Sequence, residues 1–178
     1  MKSNIALIGF MGTGKTAVGK ALAEKLGKEF VELDALIEGK AGKSIPRIFE
    51  QDGEIRFREL EIDVAKGVSG KENAVIACGG GIVMNTINID RLREECVIVL
   101  LTASPRAILK RTSGDKNERP LLKMVNKAAR IQELLRFRQP FYERAADMKI
   151  DTSELDIGSV AEQIISEVNQ HKSFNFQK

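Results

Sequence analysis

Gly9-Phe10-Met11-Gly12-Thr13-Gly14-Lys15-Thr16 lies between two segments of different periodicity. Before it, Asn4 to Ile8 is a short apolar run that reads as a buried strand. After it, Val18, Leu22 and Leu26 recur at helical spacing until Gly27 stops the pattern. Strand, glycine-rich turn and helix in this order match G-x-x-x-x-G-K-[ST] in full. The glycines let backbone N–H groups close around phosphate oxygens where a side chain would collide, and the helix adds the positive end of its dipole. Gly12, Thr13, Gly14, Lys15, Thr16 and Ala17 are therefore candidate nucleotide-binding residues. Lys15 would reach the β- and γ-phosphates, and the Thr16 hydroxyl would ligate Mg²⁺.

Outward from this turn, strands and helices alternate. Glu29 to Leu33 reads as a second strand, and Asp34 as the cap of a short helix ending near Gly39 to Gly42. Ser44 opens another helix with Pro46 in its first turn, and Glu54 to Lys66 carries a third apolar stripe. Asn73 to Cys78 is strand-like and runs into Gly79-Gly80-Gly81. A helix over about 88–94 leads to Cys96–Leu101, the most apolar strand of the chain. Helices are expected over about 104–112 and 124–146, the second interrupted by Pro140. Met148 to Asp151 reads as a last strand and Val160 to Asn169 as a last helix, with a frayed polar tail from His171. This alternation predicts an α/β domain with a mainly parallel sheet. The charged stretch Ser113 to Leu122 between two helices is long for an irregular connection, and such loops are usually functional or disordered.

Composition narrows the class. The 178 residues are sized for one domain with its own core, 43% hydrophobic and 30% charged. A net charge of +3 and 5% aromatic residues, with no tryptophan, give no footing to nucleic-acid binding. No apolar run approaches the ~18 residues needed to span a bilayer. Met1-Lys2-Ser3-Asn4 runs into a strand without a secretory pattern, and Cys78 and Cys96 sit in apolar stretches as reduced core residues. The expected compartment is the cytoplasm. Helicases and transporter subunits need more chain, and the base-reading Asn-Lys-x-Asp of a GTPase is absent from the sequence. Small kinases remain.

In an open α/β sheet, ligands bind beyond the C-terminal strand ends. The second strand places Glu32 and Asp34 there, and the third places Gly79-Gly80-Gly81. One carboxylate suits the metal, the other the proton of an attacking hydroxyl. Bidentate arginine is the natural clamp for a substrate carboxylate. Arg56 and Arg58 share one predicted helix and Arg136 and Arg138 another, and spacing does not choose among them.

Glu32-Leu33-Asp34, Ile37-Glu38, Asp52-Gly53-Glu54 with Phe57-Arg58 and Glu61, the triple glycine, Arg119-Pro120-Leu121-Leu122 and Arg138-x-Pro140-x-Tyr142 together resemble the shikimate kinases. The correspondence runs in order from about residue 4 to 168. It implies a single three-layer P-loop kinase domain over 1–178, of nucleoside monophosphate kinase-like fold. Its five-stranded parallel sheet would have the order 2-3-1-4-5, with substrate-binding helices over about 34–66 and a mobile lid over about 112–124. It implies MgATP-dependent phosphorylation of the shikimate 3-hydroxyl, on the route to chorismate and the aromatic amino acids, by a monomer. By the same resemblance Lys15, Asp34 and Arg119 are catalytic, with Asp34 holding the ring hydroxyls and acting as base. Arg58, Arg138 and the Gly79, Gly80 and Gly81 backbone would hold the shikimate carboxylate. Glu61 would orient Arg58, Phe49 and Phe57 would wall the ring, and Arg111 and Arg119 would approach the nucleotide. Thr16 and Glu32 would serve the metal. At the Glu32 position the family usually carries aspartate, and the segment after Asp151-Thr152-Ser153 lacks the proline often found there.

Overall fold

A computed structural model of the chain describes residues 2–113, 126–154 and 156–174. Its centre is a parallel sheet of five strands: β1 (Asn4–Ile8), β2 (Glu29–Glu32), β3 (Ala74–Ala77), β4 (Cys96–Thr102) and β5 (Met148–Asp151). Their order is β2-β3-β1-β4-β5, as the family resemblance implied. The central strand β1 pairs with β3 through Ile5↔Val75 and with β4 from Asn4↔Cys96 to Ile8↔Leu100. Strands covered on both faces read as unbroken apolar runs, and β1 and β3 are buried throughout.

Successive side chains of β1 point to opposite layers. Ile5 and Leu7 pack on one side with Val18, Leu22, Val160 and Ile164 of α1 (Lys15–Leu26) and α8 (Ile157–Asn169). Ala6 and Ile8 pack on the other, under α2 (Leu33–Ala41), α3 (Ile45–Gln51), α4 (Gly53–Ser69), α5 (Thr86–Glu95), α6 (Pro105–Ser113) and α7 (Lys127–Ala145). With every strand parallel, all five C-terminal ends share one edge.

Three local expectations change. Asp34 does not cap α2: the helix already begins at Leu33, Glu32 takes the cap position, and Asp34 sits in the first turn. Pro140 does not interrupt α7, which runs through it from Lys127 to Ala145. Burial of Leu134 and Arg138 before the proline and of Tyr142 and Ala145 after it holds both halves against the core, outweighing the lost backbone donor. The tail is docked as far as Phe174, which bridges to Lys2, packs on the α1–α8 layer and has the Lys28 ammonium over its ring at 5.6 Å. The lid expected over 112–124 falls outside the described residues beyond Ser113.

Both cysteines are free and buried. Burial pushes the Cys96 thiol up to about 12 and the Cys78 thiol well above its ordinary value, so neither is a nucleophile.

Candidate active site

The turn after β1 is held by its own residues. Thr13 is buried, and its Oγ1 donates to the Phe10 carbonyl at 2.7 Å. Gly12 adopts φ +81° and Gly14, at the α1 N-cap, φ +94°, both in the left-handed region that favours glycine. Lys15 Nζ donates to the carbonyls of Gly9 and Phe10, each at 2.9 Å, so its ammonium lies over the concave side of the loop. The first turn of α1 carries no acidic residue, leaving the positive end of its dipole available to phosphate. Ala17 is exposed on that turn.

Arg111, expected near the base of the nucleotide, ties the loop to the end of β5. It donates to the Gly12 carbonyl at 3.2 Å, to Thr152 Oγ1 at 3.0 Å and to the Thr152 carbonyl at 2.5 Å. Thr152 is buried, and its hydroxyl oxygen lies 3.0 Å from both the Thr13 and the Thr102 carbonyl oxygens, which share its one proton. Reading the sequence did not single out Thr152. Its signals there were its place directly after a strand and within Asp151-Thr152-Ser153, whose following segment resembles the family's adenine-side loop.

Thr16 and Glu32 meet across the loop, the hydroxyl donating to Glu32 Oε1 at 2.5 Å. A hydroxyl and a carboxylate are hard oxygen donors of the kind Mg²⁺ takes, and the longer glutamate still reaches the threonine. Among the described residues no three His, Cys, Asp or Glu side chains cluster as a metal cage.

The second half of the site is assembled from α2, α4, α7 and the turn after β3. Arg58 Nη1 donates to Glu61 Oε2 at 3.0 Å and Nη2 to Glu54 Oε1 at 3.1 Å, while its guanidinium lies 5.0 Å from the centre of the Phe57 ring. Phe57 packs on Phe49 with ring centres 4.8 Å apart. Arg138 is 5% exposed and donates to the Gly80 carbonyl at 3.2 Å, beside the Phe10 ring. The structure thus separates the paired arginines. Arg56 pairs with Glu59 in solvent and Arg136 is exposed, whereas Arg58 and Arg138 turn inward.

Glu61 is buried between these charges. Desolvation pushes its carboxyl above the ordinary glutamate range; Arg58 pulls it back through charge and hydrogen bond, Asp34 pushes it up, and Arg138 pulls it down. The triple glycine makes room for this cluster. A Cβ on Gly79 would sit 2.8 Å from Asp34 Oδ1, and one on Gly81 only 2.3 Å from Arg58 Nη1. Gly80 lies between the two halves: its Cβ position is 3.4 Å from the Met11 amide nitrogen and 3.9 Å from Arg138 Nη1. The phosphate loop and Arg138 therefore approach each other at Gly80. Tyr142, which the sequence showed only as part of a motif, also donates its hydroxyl to the Gly80 carbonyl. Arg119 lies outside the described residues.

The Shikimate kinase family model matches residues 11–169. Shikimate kinase of Thermodesulfovibrio yellowstonii is 49% identical over 92% of this chain and 94% of its own. That of Pelotomaculum thermopropionicum is 45% identical over 94% and 96%. Shikimate kinase from Acinetobacter baumannii in complex with shikimate superposes with a TM-score of 0.92 at 38% identity, over 97% of this chain and 96% of that one. By the family model, these identities and this superposition, the chain belongs to the shikimate kinase family.

Proposed function

We propose that this enzyme transfers the γ-phosphoryl group of ATP to the 3-hydroxyl of shikimate, giving shikimate 3-phosphate and ADP. The observation that carries this reading is the position of Gly80, in reach of both the phosphate loop at Met11 and the buried Arg138. A donor phosphate on the loop and an anionic acceptor on the arginines would then lie side by side.

In this reading Arg58 and Arg138 clamp the acceptor carboxylate, Glu61 fixes the Arg58 guanidinium, and Phe49 and Phe57 cover the ring. Asp34, in contact range of the Gly79 backbone, holds the ring hydroxyls and takes the proton of the attacking one. The freed oxygen attacks the γ-phosphorus, and the bond to the bridging oxygen of ADP breaks. Lys15 follows the charge that builds on the phosphates. Thr16 and Glu32 would hold Mg²⁺, which when bound neutralises phosphate charge. Arg119 adds charge at the phosphates and Arg111 lies beside the base. The free, buried thiols support a reducing compartment such as the cytoplasm, and the family resemblance supports a monomer.

The test is ADP formation from MgATP with shikimate, gluconate, quinate or no acceptor. ADP that appears with shikimate alone supports the reading. Equal rates with every acceptor, or none with any, would remove it.

A further inference from the structure

The carbonyl of Gly80 receives two donors from α7, Arg138 Nη1 at 3.2 Å and the Tyr142 hydroxyl. A carbonyl oxygen has two lone pairs, so this pair of donors saturates it and fixes its direction. Direction matters here because a peptide between two glycines has no Cβ on either side to resist rotation. The peptide is also confined from its far side, where the Arg58 guanidinium fills the volume next to Gly81. Arg138 and Tyr142 are four residues apart on α7, hence one above the other on the same helix face. Both are at most 5% exposed, so water does not compete for the bond.

We propose that Tyr142 is a positioning residue for the acceptor carboxylate. Its hydroxyl holds the Gly80 carbonyl toward α7 and thereby keeps Arg138 and the Gly80–Gly81 peptide in one arrangement opposite Arg58. The inference rests on Arg58 and Arg138 being the carboxylate clamp. The Tyr142 hydroxyl is spent on the Gly80 carbonyl. It acts through Gly80 and Arg138, so its removal weakens acceptor binding and leaves the phosphate loop alone.

Tyr142→Phe keeps the ring and deletes the donor. The expected result is a shikimate Kd and KM raised roughly fivefold, the size of one neutral hydrogen bond, with kcat within about twofold and ATP affinity unaltered. A merely structural role would instead lower ATP and shikimate affinity together, or lower only the melting temperature. The chain offers a second readout that needs no variant: it has one tyrosine and no tryptophan, so its intrinsic emission is that of Tyr142. Shikimate titrated into the wild-type enzyme should change that emission with the half-saturation found by calorimetry. The proposal falls if Tyr142→Phe melts like wild type and binds shikimate equally well. If the variant does not fold, saturation of the wild type by shikimate with no change in emission overturns it. A wild-type enzyme that gives no calorimetric heat with shikimate at all removes the clamp reading itself, and Tyr142's role with it.

Discussion

The phosphate loop over 9–16 and the glycine run over 79–81 both follow parallel strands, yet their glycines answer different demands. Gly12 and Gly14 sit at positive φ, a backbone shape other residues reach only with strain. None of Gly79, Gly80 and Gly81 does; Gly81 has φ −103°. What they supply is space, taken up by the Asp34 carboxylate and the Arg58 guanidinium. The loop is a local device, closed by its own carbonyls and the Lys15 ammonium. The glycine run is a meeting point for side chains from α2, α4 and α7.

The largest expected effect falls where the two regions meet. Asp34→Ala should lower turnover by at least ~10², the low end of general-base catalysis, with ATP binding intact. Near-normal turnover would show that Asp34 takes no proton. Next comes the arginine pair on α4. Arg58→Ala should weaken shikimate binding on the order of thirtyfold, as loss of charge-assisted bonds to a substrate carboxylate requires. Arg56→Ala, which breaks only a solvent-exposed pair with Glu59, should alter neither substrate's affinity. Isothermal titration of both variants with each substrate checks the contrast, and a loss of ATP affinity in Arg58→Ala would misplace the clamp.

Two glycine substitutions address the comparison itself. Gly12→Ala forces alanine into φ +81° with its Cβ 2.9 Å from the Thr112 methyl, so it should cost Tm about 4 °C and weaken ATP binding. Gly81→Ala meets no backbone strain and should displace Arg58, cutting shikimate affinity on the order of tenfold with a smaller change in Tm. Melting curves and titrations that came out alike for the two variants would erase the distinction between shape and space.

The smallest effect concerns Glu61. Its carboxyl is raised by burial, so as pH climbs through the ordinary glutamate range the unfolded chain ionises before the folded one. Folding therefore loses stability over the window from that ordinary value up to the raised one. Glu61→Gln should lack this loss, and should raise the shikimate KM about threefold because Arg58 keeps a hydrogen bond there but loses the buried one of its two charge partners, Glu61 and Glu54. Urea midpoints of both proteins across that pH window read the effect. Parallel curves would mean that Glu61 titrates as it does in the unfolded chain.

Legibility followed locality. The loop and α1 could be read because each rests on contiguous residues, whereas the strand order came only from the family resemblance. The start of α8 was misjudged by three residues. Its cap, Asp156, accepts from the Ser159 amide at 3.0 Å, and a lone Asp before Ile157-Gly158 gives little warning of that. Pro140 misled because helix propensity counts the missing donor and not the buried residues on either side.

The sequence by itself pointed to phosphate after β1, since eight consecutive residues carry the glycines, the lysine and the threonine of the motif. It also limited the acceptor clamp to a few arginines. Spacing did not choose among them; the family resemblance pointed to Arg58 and Arg138, and the tertiary structure turns these two inward and leaves Arg56 and Arg136 in solvent. Only it revealed Tyr142 and Thr152 as ties between distant segments. The physical reason is that burial and hydrogen-bond partners belong to pairs of segments brought together by the sheet, and no single stretch of chain carries that information.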